Sequence, residues 1–166
     1  KYSGELFAQM LMGQMDMPLT VVRPFNAFGP YQSTRAVIAE MILRCLDGKE
    51  IRSTQGKQTR EFNFVHNLVD GIVLAASTEK AIGNVLNLGS GREIAIADLI
   101  RMIHQDTDSS SDLQIGATAD RTTEIRRMCA DSDRARAPLG WEPRVESEEG
   151  WRQPHGRDRE LRKELV

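Results

Sequence analysis

Arg23-Pro24-Phe25-Asn26-Ala27-Phe28-Gly29-Pro30-Tyr31-Gln32-Ser33-Thr34-Arg35-Ala36-Val37-Ile38 is the stretch on which the fold turns. It leaves an apolar strand carried by Leu19, Val21 and Val22, breaks at Pro24, turns through Phe28-Gly29-Pro30 and re-enters order as a helix near Arg35. A buried strand that ends in polar residues and a Gly-Pro turn is where α/β folds place ligands, because side chains there project into the crevice beyond the strand ends. Asn26 offers a carbonyl and an amide nitrogen to a polar ligand, with Gly29-Pro30 fixing the loop behind it. Turn residues mark loops of every kind, so the same spelling also suits an ordinary strand–loop–helix connection.

Upstream, residues 1–15 contain no proline and repeat Leu6, Phe7, Met10, Leu11 and Gln14 at helical spacing. Met12, Met15 and Met17 widen the apolar surface beyond one stripe, which predicts a helix buried on more than one side. No capping residue precedes Lys1, so the helix reads as cut rather than begun. Downstream, Arg35 to Leu46 reads as a helix with Val37, Ile38, Met41, Ile42 and Leu46 on one side and Gly48 past its end. Ile51 to Thr54 and Glu61 to Val65 read as short strands joined into a hairpin by the polar turn Gln55 to Gln58. Asn67 reads as the cap of a helix to Ser77 that buries Leu68, Ile72, Val73, Ala75 and Ala76. Val85 to Leu88 reads as a buried strand and Gly89-Ser90-Gly91 as the turn out of it. Asp98 to His104 reads as a helix burying Leu99, Ile100 and Ile103, and Leu113 to Gly116 as another strand. Ser132 or Asp131 caps a helix through Ala137 that Pro138 ends.

Composition narrows the function classes. The 166 residues suit one domain, and 40% hydrophobic residues can supply its core. A formal charge of -2 leaves no electrostatic footprint for nucleic acid or an anionic membrane. No apolar run approaches the ~20 residues that span a bilayer, and the first residues do not spell a signal peptide. Cys45 and Cys129 match no metal or redox spacing and read as reduced, buried thiols of a cytoplasmic protein. His66, His104 and His155 stand alone, so a metal site is not expected. The Asp/Ser/Thr-rich patch Asp106 to Asp112 reads as a connector.

Arg-Pro-Phe-Asn-Ala-Phe-Gly-Pro at 23–30 resembles the segment after the catalytic helix in the extended short-chain dehydrogenase/reductases, the NAD-dependent epimerase/dehydratase family acting on nucleotide sugars. Gln58-Thr59-Arg60-Glu61-Phe62-Asn63-Phe64-Val65, Asn87-Leu88-Gly89-Ser90-Gly91, Arg121 to Arg127 and Leu139-Gly140-Trp141-Glu142-Pro143 follow in the family's order. These collinear matches cover residues 1–150. The resemblance implies an α/β chain: the carboxy-terminal part of a Rossmann-type fold with a small α+β substrate-binding domain. It fades at Trp151, leaving 151–166 as a divergent charged tail.

The resemblance also implies a site. Lys1 aligns with the lysine of the family's Tyr-x-x-x-Lys, where it holds the nicotinamide ribose and lowers the pKa of the tyrosine four residues earlier. That tyrosine is not in this sequence, and read without the resemblance Lys1 is simply a charged terminal residue. Lys1, Pro24 and Phe25 are the expected cofactor contacts, with NAD as the family's cofactor. Asn26, Arg60, Asn87, Arg121 and Arg126 are the expected contacts to a nucleotide-diphosphate sugar. A guanidinium presents a planar fork suited to phosphate oxygens; read without the family, Arg60 is a solvated strand charge and 121–127 a solvated charge run. Departures are Ala39 where the family has proline, His66-Asn67 where it has two acidic residues, and Thr122-Thr123 where it has Pro-Gly.

A dinucleotide site needs a glycine-rich turn between a strand and a helix, and the only Gly-x-Gly, at 89–91, leads into an extended piece instead. The expectation is therefore a portion of a 4,6-dehydratase or 4-epimerase, inactive alone, with Ser33 to Ile38 tilting towards the dehydratases. The alternative is a non-catalytic nucleotide-sugar-binding or protein-interaction module of the same descent. Under both, self-association through the first helix is expected, with no nucleic-acid or membrane partner.

Overall fold

The strands of this chain are short and find their partners far away in sequence. The computed structural model describes residues 1–146, 149 and 150; the charged tail expected at 151–166 lies outside them. Helix α1 (Tyr2–Met15) stops where Asp16 enters the left-handed region at φ 50° and returns its N–H to the Leu11 carbonyl. Strand β1 (Val21–Pro24) keeps Pro24 as its last residue, and β2 (Ala27–Phe28) is a two-residue extension. Ser33 closes a turn, its carbonyl accepting from Ala36 N–H at 2.9 Å. Helix α2 (Val37–Leu46) then begins two residues later than Arg35 and buries Ile38, Ala39, Met41, Ile42 and Cys45.

The expected hairpin at 51–65 does not form. Its residues make β3 (Ile51–Ser53), β4 (Thr59–Arg60) and β5 (Asn63–Phe64), which enter three different sheets. Strand β3 pairs in parallel with β8 (Leu113–Ile115), and β5 pairs in parallel with β2, Phe28 beside Phe64. Strand β4 lies between β7 (Ile94–Ala95), antiparallel, and β9 (Arg127–Met128), parallel. Gly56 explains the detour. It sits at φ 62°, and a Cβ there would lie 2.6 Å from Ala97 N. The chain thus leaves β3 across the first turn of α4 (Ile96–Asp106), where Gly56 O accepts from Ala97 N–H at 3.0 Å.

Helix α3 (Val65–Ser77) starts directly from β5, with Phe64 rather than Asn67 at the cap position. Asn67 is buried in the first turn. Its amide donates to Val145 O at 2.7 Å and accepts the N–H groups of Arg144 and Val145 at 3.0 Å, pinning a distant segment instead. The buried side of α3 is Asn67, Leu68, Gly71 and Ala75, while Ile72, Val73 and Ala76 face solvent. Gly71 sets that rotation. A Cβ there would meet Leu88 at 2.7 Å, so the helix rests its glycine on β6 (Val85–Leu88) and turns Ile72 and Val73 outward. Strand β6 pairs in parallel with β1, Val21 beside Val85 through Pro24 beside Leu88.

Two cores result. One joins Phe28, Ile42, Ile51, Phe64, Ile100 and Ile103 between α2, α4 and the small sheets. The other joins Leu68, Ala75, Leu86, Leu88, Ala135 and Trp141 around β6, α3 and α5 (Asp133–Leu139). The 106–112 segment does more than connect: Ser109 Oγ donates to Cys45 O at 2.8 Å and Ser111 Oγ to Arg44 O at 3.2 Å, adding side-chain donors to carbonyls that already accept the Gly48 and Lys49 N–H groups. Helix α5 carries Pro138 inside its last turn and ends only at Gly140, φ 59°. Ser132 holds the N-cap position as expected, but its hydroxyl exchanges hydrogen bonds with Gly89, while Asp131 Oδ1 accepts from Asp133 N–H at 3.1 Å. Helix α1 belongs to neither core and contains no buried residue, contrary to its expected burial. Among the described residues no helix is long and apolar enough to cross a membrane.

Candidate functional site

Successive side chains of a strand point to opposite faces, and at the end of β4 that rule separates a cation from an anion. Arg60 keeps 15% of its side chain exposed. Its Nη1 donates to Thr59 O at 2.7 Å and its Nη2 to Glu124 Oε1 at 2.5 Å. Glu61 is fully buried. Its Oε1 accepts from Asn63 Nδ2 at 2.8 Å and Ser90 N–H at 3.0 Å, and its Oε2 accepts from Ala130 N–H. Asn63 Oδ1 takes Ser90 N–H as well, at 2.8 Å. A buried carboxylate survives only when donors surround it, and here they come from three chain segments.

This hub decides what the Gly89-Ser90-Gly91 turn can do. A Cβ at Gly89 would lie 2.2 Å from Glu61 Oε1 and 2.5 Å from Ala130 Cβ. The turn is filled by the protein's own carboxylate and is not a phosphate cradle. Sequence reasoning missed Glu61, although a carboxylate followed by Phe62 and Phe64 in a strand-like stretch was the available signal.

Backbone contacts bring Asn26, Arg60 and Arg126 to the β4–β9 pair, and Arg121 opens the turn that carries Glu124. Asn26 Nδ2 donates to Glu61 O at 3.0 Å, so its amide nitrogen holds the loop rather than standing free. Arg126 O accepts from Thr59 N–H at 2.9 Å, and Arg121 O accepts from Glu124 N–H at 3.2 Å in the turn between them. The Arg121 and Arg126 side chains are exposed. Arg127 is different: its Nε lies 2.9 Å from both oxygens of Glu93, which also accepts the Thr59 hydroxyl at 3.0 Å. The Arg127 hydrogen bond holds the Glu93 carboxyl below its usual range. Asn87 stands apart, donating to Asp131 O at 2.9 Å beyond the end of β9.

Lys1 and Pro24 lie elsewhere, in an open groove of about 730 Å³ between α1 and β1 that Tyr2, Glu5 and Arg23 also line. Phe25 N–H is fixed to Leu88 O at 2.9 Å where β1 ends. The expected cofactor residues and the expected phosphate residues thus form two groups on either side of the Pro24–Asn26 turn. Cys129 is half-buried rather than buried. Burial first, and the Glu61 carboxylate second, push its thiol pKa up, so it is no poised nucleophile.

A family model described as GDP-mannose 4,6 dehydratase matches residues 1–153. The chain belongs to this family, among the NAD-dependent epimerases and dehydratases of the extended short-chain dehydrogenase/reductases. It is similar to UDP-glucuronic acid decarboxylase 1 of Xenopus tropicalis, 31% identical over 90% of this chain and 35% of that protein. It is also similar to UDP-glucose 4-epimerase of Mycolicibacterium smegmatis, 29% identical over 90% of this chain and 48% of that one. Among solved structures, UDP-glucose 4-epimerase of Thermotoga maritima with UDP-glucose superposes at a TM-score of 0.87, with 27% identity over 100% of this chain and 53% of that one. UDP-glucuronic acid 4-epimerase of Bacillus cereus with UDP-glucuronic acid and NAD superposes at 0.85, with 26% identity over 97% and 51%. The chain spans between a third and a half of the two curated relatives named. The expected family and α/β, Rossmann-type class both hold.

Proposed function

We propose that this chain supplies the substrate-holding portion of an NAD-dependent enzyme that dehydrates or epimerises a nucleotide-diphosphate sugar. The observation that supports the reading is the β4–β9 pairing of a chain in this family, which sets Arg126 beside the strand of Arg60 and ties Asn26 to Glu61 O, with Arg121 in the adjoining turn. Planar guanidinium forks match pairs of phosphate oxygens, and several of them around one site fix a diphosphate in orientation as well as in charge. Asn87, on β6 and apart from this cluster, is the remaining expected contact to the nucleotide.

The groove beside Lys1 and Pro24 fits the nicotinamide-ribose end of NAD, being open, bordered by an ammonium group and floored by Val21 and Val22 of β1, with Phe25 next in the chain. The 89–91 turn does not fit the pyrophosphate, because Glu61 fills it. When bound, NAD supplies the hydride acceptor and donor that such chemistry needs. The chain's own contributions are the diphosphate clamp and Lys1, whose positive charge favours the ionised phenol of a tyrosine supplied from outside these residues. The spelling of Ser33 to Ile38 favours a 4,6-dehydratase over a 4-epimerase. The exposed Tyr2, Leu6, Phe7 and Met10 of α1 support a homodimer through that helix, since apolar faces of this breadth are usually covered.

Calorimetric titration with UDP-, dTDP-, CDP- and GDP-sugars tests the clamp. One nucleotide sugar is expected to bind saturably and to lose its binding in Arg60→Ala and Arg126→Ala. Indifference to both substitutions would sink the reading. A second reading is a non-catalytic nucleotide-sugar-binding module, which would keep the diphosphate clamp without turnover. Turnover on mixing with the amino-terminal half of a relative would dismiss it.

A further inference from the structure

We propose that Glu124 is a displaceable occupant of the anion seat at Arg60, and that the 121–125 turn must swing away before a diphosphate can enter. The inference rests on the reading of Arg60 as a diphosphate contact and adds what the ligand must displace.

Three observations carry it. The first is the pair itself. Arg60 Nη2 lies 2.5 Å from Glu124 Oε1, with the two side chains 15% and 30% exposed. A carboxylate oxygen on a mostly buried guanidinium occupies the position, and satisfies the donor, that a phosphate oxygen would take. The second is an asymmetry of support. Arg60 sits on a strand paired on both edges, so it is the fixed partner. Glu124 sits in a turn whose anchors are Asp120, accepting Gln55 N–H at 3.2 Å, and Arg126 O on Thr59 N–H. Between those anchors Ile125 is 56% exposed and gives the turn no core contact to hold it down. The third is the contrast with Arg127–Glu93 on the same sheet. There the carboxylate meets Nε with both oxygens and also takes the Thr59 hydroxyl, a three-way tie that reads as structural. Glu124 has the single-oxygen contact of a group that can leave.

With Glu124 in place the cluster presents its arginines partly neutralised; with Glu124 displaced, Arg60, Arg121 and Arg126 all face a ligand bearing at least two negative charges. The turn thus selects for anions strong enough to replace a carboxylate.

The test is calorimetric titration of the 166-residue chain with inorganic pyrophosphate, comparing wild type, Glu124→Gln, Glu124→Ala, Asp120→Asn and the double variant Arg60→Ala/Glu124→Gln. Both Glu124 variants are expected to bind about tenfold more tightly than wild type, the worth of one partly desolvated ion pair. Asp120→Asn removes the same charge from the same turn without touching Arg60, and should change affinity less than about twofold. The double variant should lose the gain. Equal or weaker binding in the Glu124 variants, with wild-type binding intact and binding abolished in Arg60→Ala/Glu124→Gln, would overturn the gate and leave the clamp standing. An equal gain in Asp120→Asn would reduce the effect to bulk charge and also overturn the gate. No pyrophosphate binding in any variant would overturn the gate together with the assignment of Arg60.

Discussion

Helices α2 and α4 and helix α1 are all rich in apolar residues at helical spacing, yet they end in opposite surroundings. Helix α2 buries five residues and α4 buries Ala97, Leu99, Ile100 and Ile103 in a shared core. Helix α1 buries none, with Leu6 48% and Phe7 59% exposed. Periodicity states which face of a helix is apolar; burial also requires a second surface to receive it. For α2 and α4 that surface is each other and the small sheets. For α1 the described residues offer only one face of β1 and an ion pair.

The largest effect should separate these two regions directly. Ile103→Ala removes a fully buried side chain and is expected to cost about 3 kcal/mol in denaturant unfolding. Phe7→Ala on α1 is expected to stay within about 0.5 kcal/mol in dilute, monomeric chain, as exposed substitutions do. It should cost more as concentration rises and the proposed homodimer covers that helix. A Phe7→Ala cost equal to that of Ile103→Ala in the dilute monomer would break the contrast.

Between the two regions runs the seam built on Glu61, where β4, the 89–91 turn and the segment after β9 meet one carboxylate. Gly89→Ala would drive a methyl group to 2.2 Å from Glu61 Oε1 and 2.5 Å from Ala130 Cβ. Neither neighbour can retreat without breaking a buried hydrogen bond, so a loss of about 2 kcal/mol is expected, measured by chemical denaturation. Gly83→Ala is the internal comparison, since a Cβ there meets nothing within 4 Å and only the positive φ of 80° opposes it. Equal costs at the two glycines would mean that the seam is looser than its geometry implies.

How much of this was legible in the sequence follows the same division. Positions of helices and strands were readable because apolar spacing encodes them, and the α4 core residues Leu99, Ile100 and Ile103 were named correctly. Strand pairing was not, because strands of two or three residues carry no register of their own; Gly56 against Ala97 decides the path after β3. The outward turn of Ile72 and Val73 hinged on Gly71 fitting over Leu88, a complementarity that no local pattern shows. At the candidate site the arginines were legible as residue types, and β4–β9 pairing sets the Arg126 backbone beside Thr59. Their partners were not. Glu124 is one acidic residue in a charged run, and Glu61 owes its meaning to donors from positions 63, 90 and 130.

The finest test of the contrast concerns the one polar tie between α1 and β1. Glu5 accepts Arg23 Nε at 2.8 Å and also pairs with Arg23 Nη2, and that hydrogen bond holds the Glu5 carboxyl below its ordinary value of 4.5. A carboxyl with a lowered folded-state pKa stabilises its contact above the unfolded value, and the stabilisation is lost as pH falls through the folded value. Docking of α1 on β1 should therefore be constant from pH 7 to about 5 and loosen below about 4, while the α2–α4 core is unaffected there. Amide hydrogen exchange across that range, normalised for intrinsic rates, resolves the two helices separately. Glu5→Gln should abolish the acid-dependent step in α1 and leave α4 unchanged. An α1 that keeps the same protection at pH 3.5 as at pH 6, in wild type and variant alike, would mean that apolar cover rather than the Arg23 pair holds it. That result would move α1 to the same side of the comparison as α2 and α4.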